Sequence, residues 1–491
     1  MTDAEYQAWL EGDRTQRCIL VEANVLTGGV ETRRYLSTRD YATEPTDSPA
    51  NVAYLSVVSG GIKITERMSL QGSASISFGD IEFDNTDGSL DGWLDDVWEN
   101  RPVDIFMGDV RWPRAQFRRL FSGIQARMAS RSRNTLNLEL CDKLQRLNTP
   151  ITDKRLGGTS DNKDRLIPLC FGECHNVEPL LINPVTLTFQ VHDGPIVRII
   201  EVRDNGVPAA YVPDLSKGTF RLLAQPAGTI TVSVQGGLYD GTNWPTSAAS
   251  IIFIITSRYG QPATRFTGAD YDTANFVAFE AAHQQPLGIY LTDRANILTV
   301  CADAARSVGA ELVMPAEGTL RMLKLGTAGL SELTLADPSR MEERSLRVAD
   351  RPPVQAAVKI AYCKNWTVQK NLQTGIPEAH KNLFALEWLT RTATDSGVAA
   401  TYRAGEEPVE IETMLLREAE ALAEAQRRLA VWSVQRTVYS YVGLPALMLQ
   451  QLGKGQSLVS PRFGLAAGKP GQVVSIMRDW LAFRVTVEIL V

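Results

Sequence analysis

The stretch GIKITERMSLQGSASISF, residues 61–78, has the clearest structural signal in the chain. Its apolar side chains fall on one parity and its lysine, threonine, arginine, glutamine and serine side chains fall largely on the other. Only a structure with a period of two residues sorts side chains in this way, so the stretch predicts strands with one buried and one wet face. The apolar row is Ile62, Ile64, Met68, Leu70, Ala74, Ile76 and Phe78.

The surrounding residues extend this prediction to most of the first 150 positions. Residues 18–25 are typical of a strand, and residues 124–128 and 136–140 alternate around the turn SRSRN to form a second hairpin. The opening residues TDAEYQAWLEG predict a short helix that Thr2 or Asp3 caps, with Tyr6 and Leu10 on its apolar side. A polar stretch at 152–164 is typical of a linker.

The rest of the chain divides into further units. Residues from about 167 to 257 predict short strands with tight turns, typical of a small β-sandwich. A helix capped by Thr292 or Asp293 should end at Gly309. The longest helix should run from Pro408 to about Leu429, and the chain closes with a hairpin. In that helix Ile411, Leu415, Leu422, Ala425 and Leu429 should face inward, and Glu412, Arg417, Glu418, Glu420, Glu424 and Arg427 should be largely solvated.

We therefore predict a multi-domain protein that is mainly β with minor α. The predicted domains are residues 1–165, an inserted small β module at 166–258, an α+β domain at 259–345, and a second β domain at 346–491 that includes the long helix and the closing hairpin.

Composition limits the possible functions. The 491 residues are 44% hydrophobic and 22% charged, which is ordinary for a globular protein. The net charge of -6 argues against a protein whose main function is to bind nucleic acid. No stretch approaches the roughly 18 apolar residues of a membrane helix, and no basic, then apolar, leader opens the sequence, so we expect no membrane segment. Six scattered cysteines favour free thiols in a reducing compartment over a disulfide framework.

The acidic stretch FDNTDGSLDGWLDD, residues 83–96, resembles a calcium loop only superficially. With Gly88 at position 6 of an EF-hand loop, the first and last ligand positions fall on Phe83 and Leu94, which cannot ligate calcium. The stretch instead predicts a turn and a short helix capped by Ser89 or Asp91, which carries Trp93, Leu94 and Trp98.

Few residues suggest chemistry. In CFGECH, Cys170, Cys174 and His175 are weak candidates for a zinc or iron–sulfur site, because a fourth ligand and a second close pair are missing. Buried thiols are the favoured reading. Neither GxSxG nor HExxH occurs, and GLAAGKP at 464–470 lacks the spacing of a phosphate loop. We predict no catalytic residue and no cofactor, although paired carboxylates could still perform glycosidic chemistry.

A basic stretch follows the acidic one. Its arginines would suit nucleic-acid phosphates, but on alternating strands they more often pair with carboxylates within or between subunits. We favour pairing, with the carboxylates of Asp91, Asp95, Asp96 and Glu99 as the nearest partners in sequence. The arginines are Arg111, Arg114, Arg118, Arg119, Arg127, Arg131 and Arg133.

Two blocks of the sequence resemble hub proteins at the tail tip or baseplate of bacteriophages with long non-contractile tails. The C-terminal block matches a family loop that precedes a strand and a final hairpin, through Pro461, Arg462, Gly464, Leu465 and Gly468, although Gln456 follows Gly455 where the family often has aspartate. The N-terminal block is similar through YQAWL at 6–10, FDNTDGSLDGWL at 83–94 and RPVDIFMGD at 101–109. PLCFGECHNVEPLLI at 168–182 and the β module after it resemble a domain inserted into such hubs.

The resemblance implies a structural virion protein built of β-barrel domains related to tail-tube folds. Such hubs are homotrimers with two barrel-like domains per chain, and they form a ring between the distal tail protein, tail tube and tape measure protein above and the central fibre or receptor-binding proteins below. DNA would pass through the ring without specific binding, and the protein would be made in the host bacterial cytoplasm and reside in the virion. The alternatives are a distal tail protein forming a hexameric ring, a tail-associated hydrolase of cell wall or polysaccharide, and a metal-binding or redox β protein.

Overall fold

The computed structural model of the chain describes residues 1–13, 15–70, 76–326, 333–342, 344–370, 372–405 and 407–491. Strands make up 40% of it and helices 19%, so the predicted mainly β class with minor α is confirmed. Barrel closure of the individual units and the predicted domain limits stay predictions.

The N-terminal unit begins with helix α1 (Asp3–Glu11) and continues as strands. Thr2 caps α1 as predicted: its hydroxyl oxygen accepts the backbone N–H of Glu5, and the Glu5 carboxylate accepts the N–H of Thr2. Tyr6 and Leu10 are buried on the inner side of the helix. The strands are β1 (Arg17–Thr27), β2 (Val30–Ser37), β3 (Tyr41–Ala42), β4 (Ala53–Ser56), β5 (Val58–Arg67), β6 (Phe78–Asp84), β7 (Pro102–Asp109), β8 (Arg118–Ser132) and β9 (Thr135–Cys141).

The middle of the chain begins with a β module. Its strands are β10 (Leu169–Val177), β11 (Leu180–Asn183), β12 (Thr188–Gln190), β13 (Ile196–Asp204), β14 (Val207–Pro208), β15 (Tyr211–Asp214), β16 (Thr219–Leu222) and β17 (Ile230–Gly237). A mixed region follows with α2 (Ala248–Arg258), α3 (Thr273–Ala282), β18 (Gly288–Leu291), α4 (Ile297–Ser307), β19 (Ala310–Val313) and β20 (Arg321–Lys324).

The C-terminal part returns to sheet and contains the longest helix among the described residues. Its elements are β21 (Leu333–Ala336), β22 (Arg347–Asp350), β23 (Ala357–Tyr362), α5 (Glu378–Ala385), β24 (Leu389–Thr394), α6 (Ser396–Tyr402), β25 (Glu410–Glu412), α7 (Glu418–Trp432), β26 (Val438–Gly443), β27 (Gly455–Leu458), β28 (Lys469–Asp479) and β29 (Arg484–Leu490). The predicted closing hairpin is confirmed as the antiparallel pair β28–β29.

One sheet runs through both ends of the chain. Its strand order is β22-β26-β29-β28-β5-β6-β9-β8-β7-β1-β2-β4-β3, with β21 and β27 attached beside β28. The N- and C-terminal units meet where β5 pairs antiparallel with β28, with Arg67 opposite Ser475 and Lys63 opposite Asp479. A single hydrophobic core includes residues of both units, such as Phe83 and Trp98 with Val487.

The β module is a sandwich, as the turn spacing predicts. One sheet has the order β14-β13-β17-β10-β18 and the other β11-β12-β16-β15. Phe189 and Phe220 of the second sheet stack with ring centroids 5.4 Å apart and share a core with Val232 and Val234 of the first. Because β18 lies outside residues 167–257, the first sheet extends beyond the module that the sequence predicts.

Several local predictions are wrong. Residues 248–258 form helix α2 rather than a strand, because a short apolar run does not distinguish the two states and Ser247 provides a helix cap. Asn296, not Thr292 or Asp293, caps α4, although Gly309 follows its end with φ of +72° as expected. Phe78 of the alternating row is 64% exposed, and Ala74 lies outside the described residues.

The longest helix starts ten residues later than predicted. Residues 410–412 form β25, which pairs in parallel with β23 and places Ile411 opposite Ile360, so the helix begins only at Glu418. Its buried row is Ala421, Ala425 and Leu429, which pack on β23 and β24 of the same chain. Leu422 is only half-buried, and Glu424, predicted to be solvated, is buried.

Candidate functional site

The junction of the two β units contains a buried ion pair. Glu66 in β5 and Arg478 in β28 are both more than nine-tenths buried, and the guanidinium of Arg478 donates to the Glu66 carboxylate and to the carbonyl oxygen of Gln450. Its Nε also donates to the carbonyl oxygen of Met448 at 2.9 Å. Burial raises the pKa of Glu66 and the positive charge of Arg478 lowers it, with a net shift upward. The pair therefore holds the two β units in one relative position. Removing both charged groups from water costs free energy, which offsets part of the stability that the pair contributes.

The sequence contains a signal for this pair that the predictions from periodicity do not use. Glu66 lies on the apolar parity of residues 62–78, where every other large side chain from Ile62 to Leu70 is apolar. A charged residue on the buried face of a strand requires a partner, because an isolated charge in the core is strongly unfavourable. The partner is 412 residues away in sequence, so the signal indicates that a partner exists without identifying it.

The side-chain amide of Asn85 stabilises the turn in the acidic stretch at 83–96. Asn85 donates from Nδ2 to Asp91 Oδ1 at 2.7 Å, and its Oδ1 accepts the backbone N–H of Leu90 at 2.9 Å. The following short helix, Asp91–Leu94, is a 3-10 helix without a side-chain cap, so the predicted caps Ser89 and Asp91 are wrong. Trp93 and Trp98 are buried as predicted, whereas Leu94 is 49% exposed. The stretch is a turn and short helix that Asn85 stabilises from within.

The arginine row does form ion pairs, but with other partners than predicted. Strand register places Arg127 opposite Glu139, and their atoms lie 2.7 Å apart. Among the acidic residues predicted as partners, Asp96 pairs with Arg34 instead. Arg119 and Arg133 are exposed, and no described residue forms an ion pair with either. The other pairs are Arg111–Asp109, Arg114–Glu22, Arg118–Asp3 and Arg131–Asp80.

The weak metal candidates are divided between two environments. Cys170 and Cys174 in β10 are buried in the sandwich core, and burial raises the pKa of the Cys174 thiol. His175 is half-buried, with its Nε2 3.3 Å from Glu173 Oε1, an interaction that lowers the pKa of Glu173 to about 2. Within the ranges that the structure describes, no group of three His, Cys, Asp or Glu side chains could hold a metal ion. The arrangement therefore offers two core thiols and a separate surface imidazole.

Another histidine, His192, contacts the backbone of Cys170. His192 Nδ1 accepts the backbone N–H of Cys170 at 3.0 Å, and burial lowers the pKa of the imidazole to about 4. The imidazole is therefore neutral at physiological pH, and its hydrogen bond fixes the start of β10.

An open cleft of about 670 Å³ is lined in part by carboxylates. Its lining includes Glu178, Asp293 and Asp303 together with the ring of Trp366. Burial raises the pKa of Asp303, although Arg306 lies 2.9 Å from its carboxylate and opposes the shift. Acid–base work on a glycoside requires a carboxyl group with a raised pKa and a second carboxylate across the substrate, and the cleft lining contains residues of both kinds.

An exposed apolar groove lies between α2 and α3. Its volume is about 550 Å³, and its floor is formed by Tyr271 and Phe276. Phe253 and Val277 at its edge are 45% and 64% exposed, which is unusual for large apolar side chains on neighbouring helices. Such a surface is typical of a contact with another protein. Among the described residues, no helix combines the length and the apolar character that crossing a membrane requires.

Comparison with known proteins finds similarity to solved structures. No protein-family model and no curated protein matches the sequence. Solved structures do match. The chain is similar to phage tail proteins. The 43 kDa tail protein of prophage MuSo2 from Shewanella oneidensis is 11% identical, with 97% of this chain and 98% of that chain covered at a TM-score of 0.40.

Two further solved structures are similar to the chain. A tail protein from Neisseria meningitidis MC58 is 9% identical, with 96% of both chains covered and a TM-score of 0.42. A chain in the virion of a native gene transfer agent is 14% identical, with 71% of this chain and 91% of that chain covered and a TM-score of 0.43.

Proposed function

We propose that the protein is a structural component of a phage tail tip that forms its hub ring. The observation that carries this proposal is the junction of β5 and β28, which joins the two β units bearing the hub-like sequence blocks into one sheet with one core. A hub that presents two tube-like units per chain needs the position and orientation of one unit to be fixed relative to the other. The paired strands and the buried pair Glu66–Arg478 supply that relation.

In this proposal three copies form a ring with six similar β units, which matches a sixfold tube above it. The distal tail protein, the tail tube and the tape measure protein would contact the ring from above, and the central fibre or receptor-binding proteins from below. The net charge of -6 supports a passive channel, because DNA is repelled weakly by an acidic surface and slides without specific contacts. The location would be the virion after synthesis in the host cytoplasm.

The test is the symmetry of the assembled protein. Native mass measurement of the purified protein, with rotational averaging of electron micrographs, should give three times the chain mass of 54.0 kDa and threefold symmetry. Six copies in a sixfold ring would support the distal tail protein instead. Labelling of the intact particle that places the protein away from the tail tip would contradict both.

A tail-associated hydrolase is the second candidate, and the cleft around Asp303 is the observation that favours it. We propose that the protein is not an enzyme, so purified protein should release no soluble fragments from cell walls or capsular polysaccharide. Cleavage that is lost in Asp303→Asn and retained in Asp240→Asn, a substitution of an exposed aspartate outside the cleft, would establish the hydrolase.

The absence of a bound metal or cofactor is also a proposal. Elemental analysis of the purified protein should find less than stoichiometric zinc and iron. Stoichiometric metal that is lost when Cys170 and Cys174 are both changed to alanine would overturn this proposal and support the metal-binding alternative.

A further inference from the structure

A small cavity lies where α4, β19, β20 and α7 meet the end of β5. Its volume is about 50 Å³, which is room for about four water molecules or one ion of a few heavy atoms. Apolar side chains, including Leu323 and Trp432, form part of its wall. The polar part of the wall includes Ser69, Glu311 and three arginines, Arg306, Arg427 and Arg428.

The cations around this cavity outnumber the ionised carboxylates. Arg427 and Arg428 both donate to Glu424, at distances of 2.7 to 2.8 Å, and Lys324 also faces this carboxylate. Arg306 is balanced by Asp303 at 2.9 Å. Burial lowers the pKa of Arg428 and lowers that of Lys324 to about 8, so these charges are poorly solvated. Partly buried positive charge in excess favours the binding of an anion.

The remaining titratable groups that face the cluster do not supply the missing negative charge. His283, on α3's C-terminal side, faces Lys324, Glu424 and Arg427, and burial lowers its pKa to about 4, so it is neutral. Glu311 accepts the backbone N–H of Ser69 with Oε1 at 2.7 Å, while its buried Oε2 has no partner among the described residues. Burial raises the pKa of Glu311 to about 8, so near neutral pH it is largely a protonated carboxyl that can donate a hydrogen bond.

We propose that this cavity binds a small tetrahedral oxyanion of the phosphate class. Guanidinium groups match the oxygen atoms of such an ion, and the neutral Glu311 carboxyl adds a donor rather than a repelling charge. The size of the cavity excludes the internal phosphates of a nucleic-acid chain, so the ligand is free phosphate or the phosphomonoester end of a larger molecule. The inference does not depend on the proposed tail function.

Calorimetric titration of the full-length protein with sodium phosphate, at constant ionic strength against chloride, tests the site. Binding should be saturable, and Arg306→Gln should weaken it about tenfold through loss of one charge-assisted contact. Arg306 is suitable because its side chain is about one-third exposed, so its replacement should be tolerated. Arg133→Gln, which removes an exposed arginine far from the cavity in sequence, is the matched control and should bind as the wild type does.

The role of Glu311 is tested separately with sulfate, whose charge is constant over the pH range used. Between about pH 6 and about pH 9, sulfate binding should weaken about tenfold more in the wild type than in Glu311→Gln, because Glu311 ionises only in the wild type while Lys324, whose pKa is also about 8, loses its charge in both proteins. A nucleoside monophosphate that binds as tightly as inorganic phosphate would identify a phosphomonoester end, and its exclusion would identify the free ion. No saturable binding beyond chloride, or equal weakening in the control variant, would overturn the proposal.

Discussion

Replacement of Arg478 by methionine tests the junction of the two β units most directly. The substitution keeps most of the side-chain volume but leaves the fully buried Glu66 carboxylate without its cation. It also removes the donors to the carbonyl oxygens of Met448 and Gln450. Removing one partner of a buried ion pair typically costs about 3–5 kcal/mol, since the other charge remains in the core. We therefore expect Arg478→Met to lose stability of that order.

Equilibrium unfolding in urea near neutral pH, followed by tryptophan fluorescence, measures this loss. The matched control is Arg484→Met in the neighbouring strand, which removes an ion pair with Glu342 whose arginine is 59% exposed. Exposed pairs contribute at most about 1 kcal/mol, so the control should unfold nearly as the wild type does. Because Glu66 can be neutralised by protonation, the loss in Arg478→Met should become smaller as the pH is lowered.

The double variant Glu66→Leu/Arg478→Met tests whether the loss of stability comes from the unpaired charge of Glu66. Without a stranded charge it should recover about half of the stability lost in Arg478→Met, since the two backbone carbonyl groups remain without a donor. If Arg478→Met unfolds within about 1 kcal/mol of the control, or if the double variant is no more stable than the single one, the pair does not hold the two units together.

Three further predictions concern the stability of the folded chain. Val487→Asp places a charge in a fully buried position of the closing hairpin and should abolish soluble expression, whereas Thr486→Asp on the opposite face should be tolerated. Burial raises the pKa of Glu311 to about 8 and of Asp142 to about 7, both above their values in an unfolded chain, so the free energy of unfolding should fall as pH rises from about 6.5 to about 8, by up to about 1.4 kcal/mol per pH unit for each group. Below about pH 6.5 the lowered pKa values of His192 and His283 act in the opposite direction and offset this fall. A flat profile from about pH 6.5 to about pH 8 would contradict the shifts of the two carboxyl groups. Asn85→Ala should cost about 1–3 kcal/mol in urea unfolding, because it leaves the buried backbone N–H of Leu90 without its acceptor. Added calcium should not change the stability of the wild type, and stabilisation by calcium would support a calcium site in this stretch.

Local periodicity made much of the fold predictable. The alternation from Ile62 onward and the hairpin at 124–140 both depend on neighbours in sequence. The structure contains the hairpin as β8–β9 and the alternating residues from Ile62 to Arg67 within β5, whereas residues 71–75 of the alternation lie outside the described residues. The longest helix was predicted to start too early because Ile411 continues its apolar period. Its true position depends on Ile360, about fifty residues earlier, which pairs with Ile411 in a parallel strand. Periodicity cannot reveal this pairing, since the partner strand is not part of the pattern.

The arginine row shows the same limit for side-chain partners. The chemistry of the row correctly predicted ion pairs, because a guanidinium on a strand face needs an acceptor. Proximity in sequence wrongly indicated the acidic stretch at 91–99 as the source. Strand register instead places Glu139 opposite Arg127, while Arg34 from another strand takes Asp96. Charge type is therefore readable from sequence, and partner identity requires the register.

Glu66 and Arg478 show why the junction could be suspected but not located. Glu66 follows Ile62 and Ile64 on the buried face of β5. Arg478 follows Ile476 on the buried face of β28, so each charged residue interrupts an apolar row. In the observed register Ile476 lies opposite Glu66 and Arg478 opposite Ile64, so the two charges meet diagonally within the core. A slip of one residue would turn one charge to the outer face and leave the other buried without a partner. The ion pair therefore favours this one register between β5 and β28, because it brings the two charges together in the core.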